Sequence, residues 1–283
     1  MSIPDSVTVE ESSGITFLNV DNQFASSRIS LFGAHVLSFI PKSDDRDRLW
    51  LSPHAFLNGE RPIRGGIPLC WPWFSDDHGR EKGELPSHGF LRTQSWQIQS
   101  SEDTGDGTRI VLTPTFSRGE GFEYDCKVSY EILVGKTLSI TLKTENTGIV
   151  PFSFNAAMHT YFSVADIAHT KITGIEGEYK DKLENWALKP APSPYTFSGE
   201  TDRIHQHAAP DVTVYVEEKP FTRVTSMGHD SLVVWNPWQG AASIADMDAF
   251  GFRHMLCIET AVTNGCTLAP GESRSVTQIV SPL

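Results

Sequence analysis

An all-β fold, a sandwich or barrel of antiparallel strands, is what this chain predicts, on three observations. Short β-branched and aromatic runs recur at regular spacing, turn residues separate them, and helical periodicity is scarce throughout. The clearest run is a hairpin: Cys126, Val128, Tyr130, Ile132 and Val134 alternate with more polar residues, and Leu138, Ile140 and Leu142 do so again. Gly135-Lys136 between the two halves suits a two-residue turn with glycine in the first central position.

Taken in order, strands are expected at 15–20, 27–32 and 35–40, each bounded by Gly, Asn or Asp. Residues 61–92 break the pattern. There Arg61-Pro62-Ile63-Arg64-Gly65-Gly66-Ile67-Pro68, then Cys70-Trp71-Pro72-Trp73-Phe74 and, past a charged loop, Leu85-Pro86-Ser87-His88-Gly89-Phe90-Leu91-Arg92 cannot form a regular helix. Arginines flank a Gly-Gly that permits close approach of backbone or ligand, and a His-Gly follows, so this stretch reads as one wall of a pocket for a small anionic ring. Strands resume at 108–113 after Asp106-Gly107, and Phe152 and Phe154 continue an alternation that leads to His159. Within 158–163, His159, Tyr161 and Ser163 share one face of a strand and Met158, Thr160 and Phe162 the other. Further strands are expected at 171–175, 212–216, 221–224, 232–235, 255–259 and 275–280, with the Pro-rich segment 189–195 a connection. No composition shift divides the chain, so residues 1–283 are expected to form one domain.

A net charge of -12 argues against a nucleic-acid surface, and an anionic ligand would have to be held by local positive charge. Four cysteines without CxxC spacing read as reduced thiols. The stretch Met1 to Ser6 lacks a basic segment followed by an apolar run, and no uncharged stretch reaches transmembrane length. The expectation is a soluble cytoplasmic protein that acts as a monomer, with no nucleic-acid or membrane partner.

The blocks from Ile63 to Pro68, Cys70 to Phe74 and Leu85 to Arg92 resemble the hexose-6-phosphate mutarotase family, the glucose-6-phosphate 1-epimerases within the aldose 1-epimerase group. Met158-His159-Thr160-Tyr161-Phe162, Thr201-Asp202-Arg203, Val234-Trp235-Asn236-Pro237-Trp238 and Cys257-Ile258-Glu259-Thr260 follow in the family's order across nearly the whole chain. The resemblance implies a large antiparallel β-sandwich of the galactose mutarotase type, with the pocket on a concave sheet face. It implies interconversion of the α and β anomers of a hexose 6-phosphate, glucose 6-phosphate first. Such a reaction needs one base, one acid and groups that hold the ring, and no cofactor or metal is expected.

Resemblance assigns the base to Glu259, which ends an apolar run where a carboxylate is costly unless solvated, paired or used. It assigns the acid to His159, whose type titrates near neutrality. His88, set on a loop before Gly89, is implied to hold sugar hydroxyls near the reacting centre, and Asp202 to grip a pair of hydroxyls. Arg64 and Arg92 are implied to take the phosphate through the guanidinium fork, with Ser87 touching the ligand and Arg61 the weaker claimant. Each has a plainer reading: a strand-end carboxylate, a core histidine, a turn histidine, an Asx turn, a surface ion pair. Tryptophans 71, 73, 235 and 238 offer faces for the sugar or fill the core. His205-Gln206-His207 on one strand face and Asp246-Met247-Asp248 invite metal readings that lack a third close ligand or a calcium-loop spacing. The competing functions are a carbohydrate-binding module without catalysis and a mutarotase of unphosphorylated aldoses.

Overall fold

The computed structural model describes residues 3–283; Met1 and Ser2, where the N-terminal stretch read above begins, lie outside the described residues. Among the described residues the strands form three antiparallel sheets of four, eight and nine strands. The first sheet is a meander of Val7–Ser12, Ile15–Asp21, Ala25–Ser30 and His35–Pro41. The nine-stranded sheet carries the predicted hairpin, Cys126–Gly135 paired with Leu138–Asn146, beside Ser273–Pro282 on one side and Gly107–Pro114 on the other. The eight-stranded sheet runs Ala187–Pro190, Glu178–Asp181, Thr201–His205, Ser231–Asn236, Met255–Leu268, Phe152–Met158, Leu69–Cys70, with Tyr161–Ser163 also on the long strand. Among the described residues no helix is long and apolar enough to cross a membrane.

Strand alternation decides where the core lies. Ile132, Ile140 and Val280 of the nine-stranded sheet join Leu232, Val234 and Ile258 of the eight-stranded sheet in one apolar cluster that also takes in Leu18 and Phe39. Residues of opposite parity on the eight-stranded sheet, Ala157, Ile204, Val233 and Ala261, form a separate small cluster with Cys70. That second cluster lies beneath the pocket, so both faces of this sheet are covered.

Several expectations change. Val134 pairs with Leu138, which leaves Gly135, Lys136 and Thr137 between them, a three-residue connection where two were expected. Gly135 is needed for a different reason: a Cβ there would stand 2.1 Å from the Asp106 carbonyl oxygen of the neighbouring turn. Strands Val7–Ser12, Trp96–Thr104, Glu178–Asp181 and Ala187–Pro190 give little signal because edge or outer strands bury few side chains. The Pro-rich segment contributes Lys189 and Pro190 to an edge strand, where a missing donor is tolerated. Strand Thr201–His205 ends before His207, so the two imidazoles do not share a strand face; His205 is buried, 2.9 Å from the Tyr195 hydroxyl, and His207 is exposed.

Candidate active site

Four adjacent strands bring the chemistry together on the face away from the main core. Asp202 stands opposite Trp235, Val233 opposite Glu259, and the strand of Glu259 pairs on its other side with the segments flanking His159. Asp202 and Glu259 are thus two strands apart and offset by two residues, about 12 Å between backbones. They line a cavity of about 540 Å³ together with Arg64, His88, Arg92, His159, Tyr161, Lys182, Trp235 and Asp246. Every predicted site residue except Ser87 reaches it.

At the floor, Nε2 of His159 lies 3.4 Å from Oε1 of Glu259. Glu259 is 1 % exposed and His159 9 %. The other oxygen of Glu259 and Nδ1 of His159 are buried without hydrogen-bond partners. Burial pushes the Glu259 carboxyl well above its usual range, and the negative charge of Asp202 adds to the shift. Burial pulls His159 down to about 3, reinforced by the positive field of Arg92. Desolvation outweighs the attraction between the two groups, and the pair favours one shared proton over two charges.

His88 is presented by a loop with left-handed backbone, φ 65°. Its Nδ1 accepts from the Ser75 N–H at 3.2 Å. In the neutral ring the proton therefore sits on Nε2, making that atom a donor. Burial and then the charge of Arg92 keep His88 neutral, well below its ordinary value.

Arg64 is held from two sides: Nε donates to Asp246 Oδ1 at 3.0 Å and Nη1 to the Tyr161 hydroxyl at 2.9 Å. Both partners favour its charged form. The adjoining Gly65-Gly66 is required by backbone proximity, since Cβ atoms there would come within 2.4 Å of Trp50 O and 2.3 Å of Val36 O. Arg92 Nη2 donates to the Ser87 carbonyl at 2.9 Å. Ser87 itself is exposed and outside the lining, so it acts on Arg92 through its backbone. Arg61 lies at the rim against the Phe56 ring.

Three polar lining residues have no role assigned from the sequence. Tyr161 carried a signal, two positions from His159 on the same face; its ring stacks on that imidazole at 5.0 Å. Asp246 stands out in the sequence only as half of a calcium-like pair, and it serves Arg64. Lys182 gives no signal: it opens a 3-10 turn after the short strand Glu178–Asp181, and its Nζ lies 3.1 Å from Asp202 Oδ2. Burial lifts the Asp202 carboxyl, and Lys182 draws it back. Of the tryptophans, Trp235 faces the cavity edge-on to His159, whereas Trp71 and Trp73 are buried with their indole N–H groups bonded inside the fold.

The aldose 1-epimerase family model matches residues 17–281. An Escherichia coli protein named "Putative glucose-6-phosphate 1-epimerase" is 31% identical over 249 residues, covering 86% of this chain and 81% of its own length. A Salmonella typhimurium protein of the same name is 30% identical, covering 90% and 86%. Among solved structures, a "putative mutarotase" from Salmonella typhimurium superposes with a TM-score of 0.90 at 24% identity, covering 99% of this chain and 95% of that one. A galactose mutarotase-like protein from Lactobacillus casei gives 0.70 at 12% identity, covering 94% and 100%.

Proposed function

The chain belongs to the aldose 1-epimerase family, and from that premise we propose that it interconverts the α and β anomers of a hexose 6-phosphate, glucose 6-phosphate first, with Glu259 as base and His159 as acid. One observation carries the reading: a buried carboxylate and imidazole 3.4 Å apart lie in a cavity that two guanidinium groups also line.

Glu259 removes the proton from the C1 hydroxyl; as the carbonyl forms, the bond from C1 to the ring oxygen breaks and its electron pair takes the proton of His159. Rotation about C1–C2 and the reverse transfers close the other anomer. The ionised pair therefore accompanies the cyclic sugars, and the neutral pair accompanies the open chain. Burial favours the neutral pair, which lowers the cost of ring opening. A phosphate dianion at Arg64 and Arg92 offsets the positive field that adds to burial in depressing His159, and so moves the imidazole towards its acid form. His88 Nε2–H donates to ring hydroxyls, Asp202 and Lys182 grip the far edge, and Tyr161 and Asp246 hold Arg64 ready.

Exchange NMR on glucose 6-phosphate tests this directly. Anomer exchange faster than the spontaneous rate is expected, with kcat/KM for the phosphorylated sugar well above that for glucose. Binding without acceleration would instead mark a binding module, and equal efficiency on both sugars a mutarotase of unphosphorylated aldoses.

A further inference from the structure

The reactive pair sits where its own ladder is interrupted. Strand Phe152–Met158 pairs with Met255–Leu268 as far as Met158 opposite Thr260, and pairing resumes at Tyr161 opposite Cys257. His159 and Thr160 fall in the gap, facing Glu259 and Ile258. What crosses there is a long bond from Ile258 N to Thr160 O, 3.3 Å, while His159 N turns away to Pro68 O. Residues bearing an acid and a base that must keep one separation thus lack the regular ladder that fixes strands elsewhere in the sheet.

Behind the gap, on the core side, lies a closed polar network. Gln278 reaches across from strand Ser273–Pro282 of the nine-stranded sheet. Its Oε1 accepts from the Thr160 hydroxyl at 2.6 Å, and its Nε2 donates to Thr260 Oγ1 at 2.8 Å and to Ile258 O at 3.3 Å. Thr260 Oγ1 is in turn 2.7 Å from Ser226 Oγ. The Ile258 carbonyl can only accept, which fixes the amide's orientation. Gln278, Thr160 and Thr260 are all 0 % exposed, within a core otherwise filled by aliphatic side chains. A buried amide there costs stability against a well-packed apolar residue unless every bond is made, and here each is.

We propose that Gln278 is a positioning residue for the reaction: one carboxamide ties the residue after His159 to the residues on either side of Glu259 and so sets the separation of imidazole and carboxylate. The inference rests on the proposed anomerisation for its kinetic consequence. Its structural consequence stands apart from that reading. The phosphate end is outside the network, because Arg64 is held by Asp246 and Tyr161 and Arg92 by the Ser87 carbonyl. Loss of the amide therefore loosens the reacting end and leaves the anchoring end intact.

The test uses Gln278→Met, which keeps side-chain length and volume, and Thr160→Val, which removes one hydroxyl from an isosteric side chain. Both are assayed well below their melting midpoints. Expected is a 10- to 100-fold fall in kcat for Gln278→Met, on the order of what a 1 Å misplacement costs, and a smaller fall for Thr160→Val. KM and the Kd for inorganic phosphate stay within about twofold. In the substrate-free protein, the His159 ring signals in ¹H–¹⁵N spectra shift. Should Gln278→Met fail to fold, Thr160→Val decides on the same readouts. Folded variants with unchanged kcat and unchanged ring signals would overturn the proposal, as would phosphate affinity falling in step with kcat. If the wild-type protein accelerates no anomer exchange, the functional reading fails and the ring signals alone decide whether Gln278 positions His159.

Discussion

The hairpin Cys126–Asn146 and the strand Met255–Leu268 are built from the same kinds of residue and do opposite work. Along the hairpin, burial alternates position by position: Val128, Tyr130 and Ile132 point inward, with Lys127, Ser129 and Glu131 outward. One face meets the core, the other meets water, and polar residues fall where polarity is harmless. Strand Met255–Leu268 is buried at every position from Met255 to Val262, because the core covers one face and the pocket wall the other. A carboxylate within that run has no water to retreat to. The comparison teaches that a sheet buried on both faces is where an ionisable side chain signals chemistry, and a sheet wet on one face is where it signals only solubility.

Glu259→Gln should separate the two regions most sharply. Removing the base is expected to lower kcat by about 10²–10⁴-fold with KM within a few-fold, read by exchange NMR. It should also stabilise the fold. Because the Glu259 pKa is raised in the folded protein, its ionisation opposes folding above the unfolded carboxyl pKa of about 4.3. The gain in melting midpoint over wild type should therefore be larger at pH 7.5 than at pH 4.5. A loss of stability on substitution would break the contrast.

Ile132→Ala in the hairpin should do the reverse. Ile132 is fully buried, so truncation is expected to cost about 2–5 kcal/mol in denaturant unfolding, with kcat at 25 °C unchanged in the folded fraction. A large drop in kcat there would mean that the hairpin shares in catalysis. Next in size, Arg64→Ala and Arg92→Ala should each raise KM for glucose 6-phosphate by about 10–100-fold, the range of a lost charge-assisted bond. KM for glucose should move about twofold at most. Equal effects on both sugars would remove the phosphate role.

The last contrast concerns acid. Burial lowers His35 to about 4, His159 and His205 to about 3, and His88 well below its usual value. The unfolded chain, with histidines near 6.5, binds more protons than the folded one below that pH. In Glu259→Gln, where the opposing carboxyl is absent, stability is thus expected to be level above about pH 7 and to fall as pH drops from 6.5 towards 4. None of these histidines lies in the hairpin. A melting midpoint constant between pH 7 and 5 would show that they titrate freely.

How much of this was legible follows the same contrast. The hairpin strands were readable because alternation with period two has one cause, a core on one side. Its turn was misread because Gly135 answers to a neighbouring carbonyl in another strand pair, which no local pattern records. The edge strand Ala187–Pro190 and its neighbour Glu178–Asp181 left no trace because they bury few side chains, and with them went Lys182. His159, Glu259, Arg64, Arg92, His88 and Asp202 were reachable only through family resemblance, since each residue alone fits a plainer structural role. Ser87 shows the limit of that route: the position carries over, while its contact passes to a backbone carbonyl.

By itself the sequence determined the fold class and the inward and outward faces of the alternating strands, which follow from local spacing and residue type. The side chains for acid, base and anion chemistry came from the resemblance of whole blocks. Only the tertiary structure decided that Asp246 serves Arg64, that Lys182 serves Asp202, and that Gln278 reaches the residues flanking the reactive pair. Each is a contact between segments distant in the chain, set by strand order and by the packing of one sheet on another, and such contacts leave no period in the sequence.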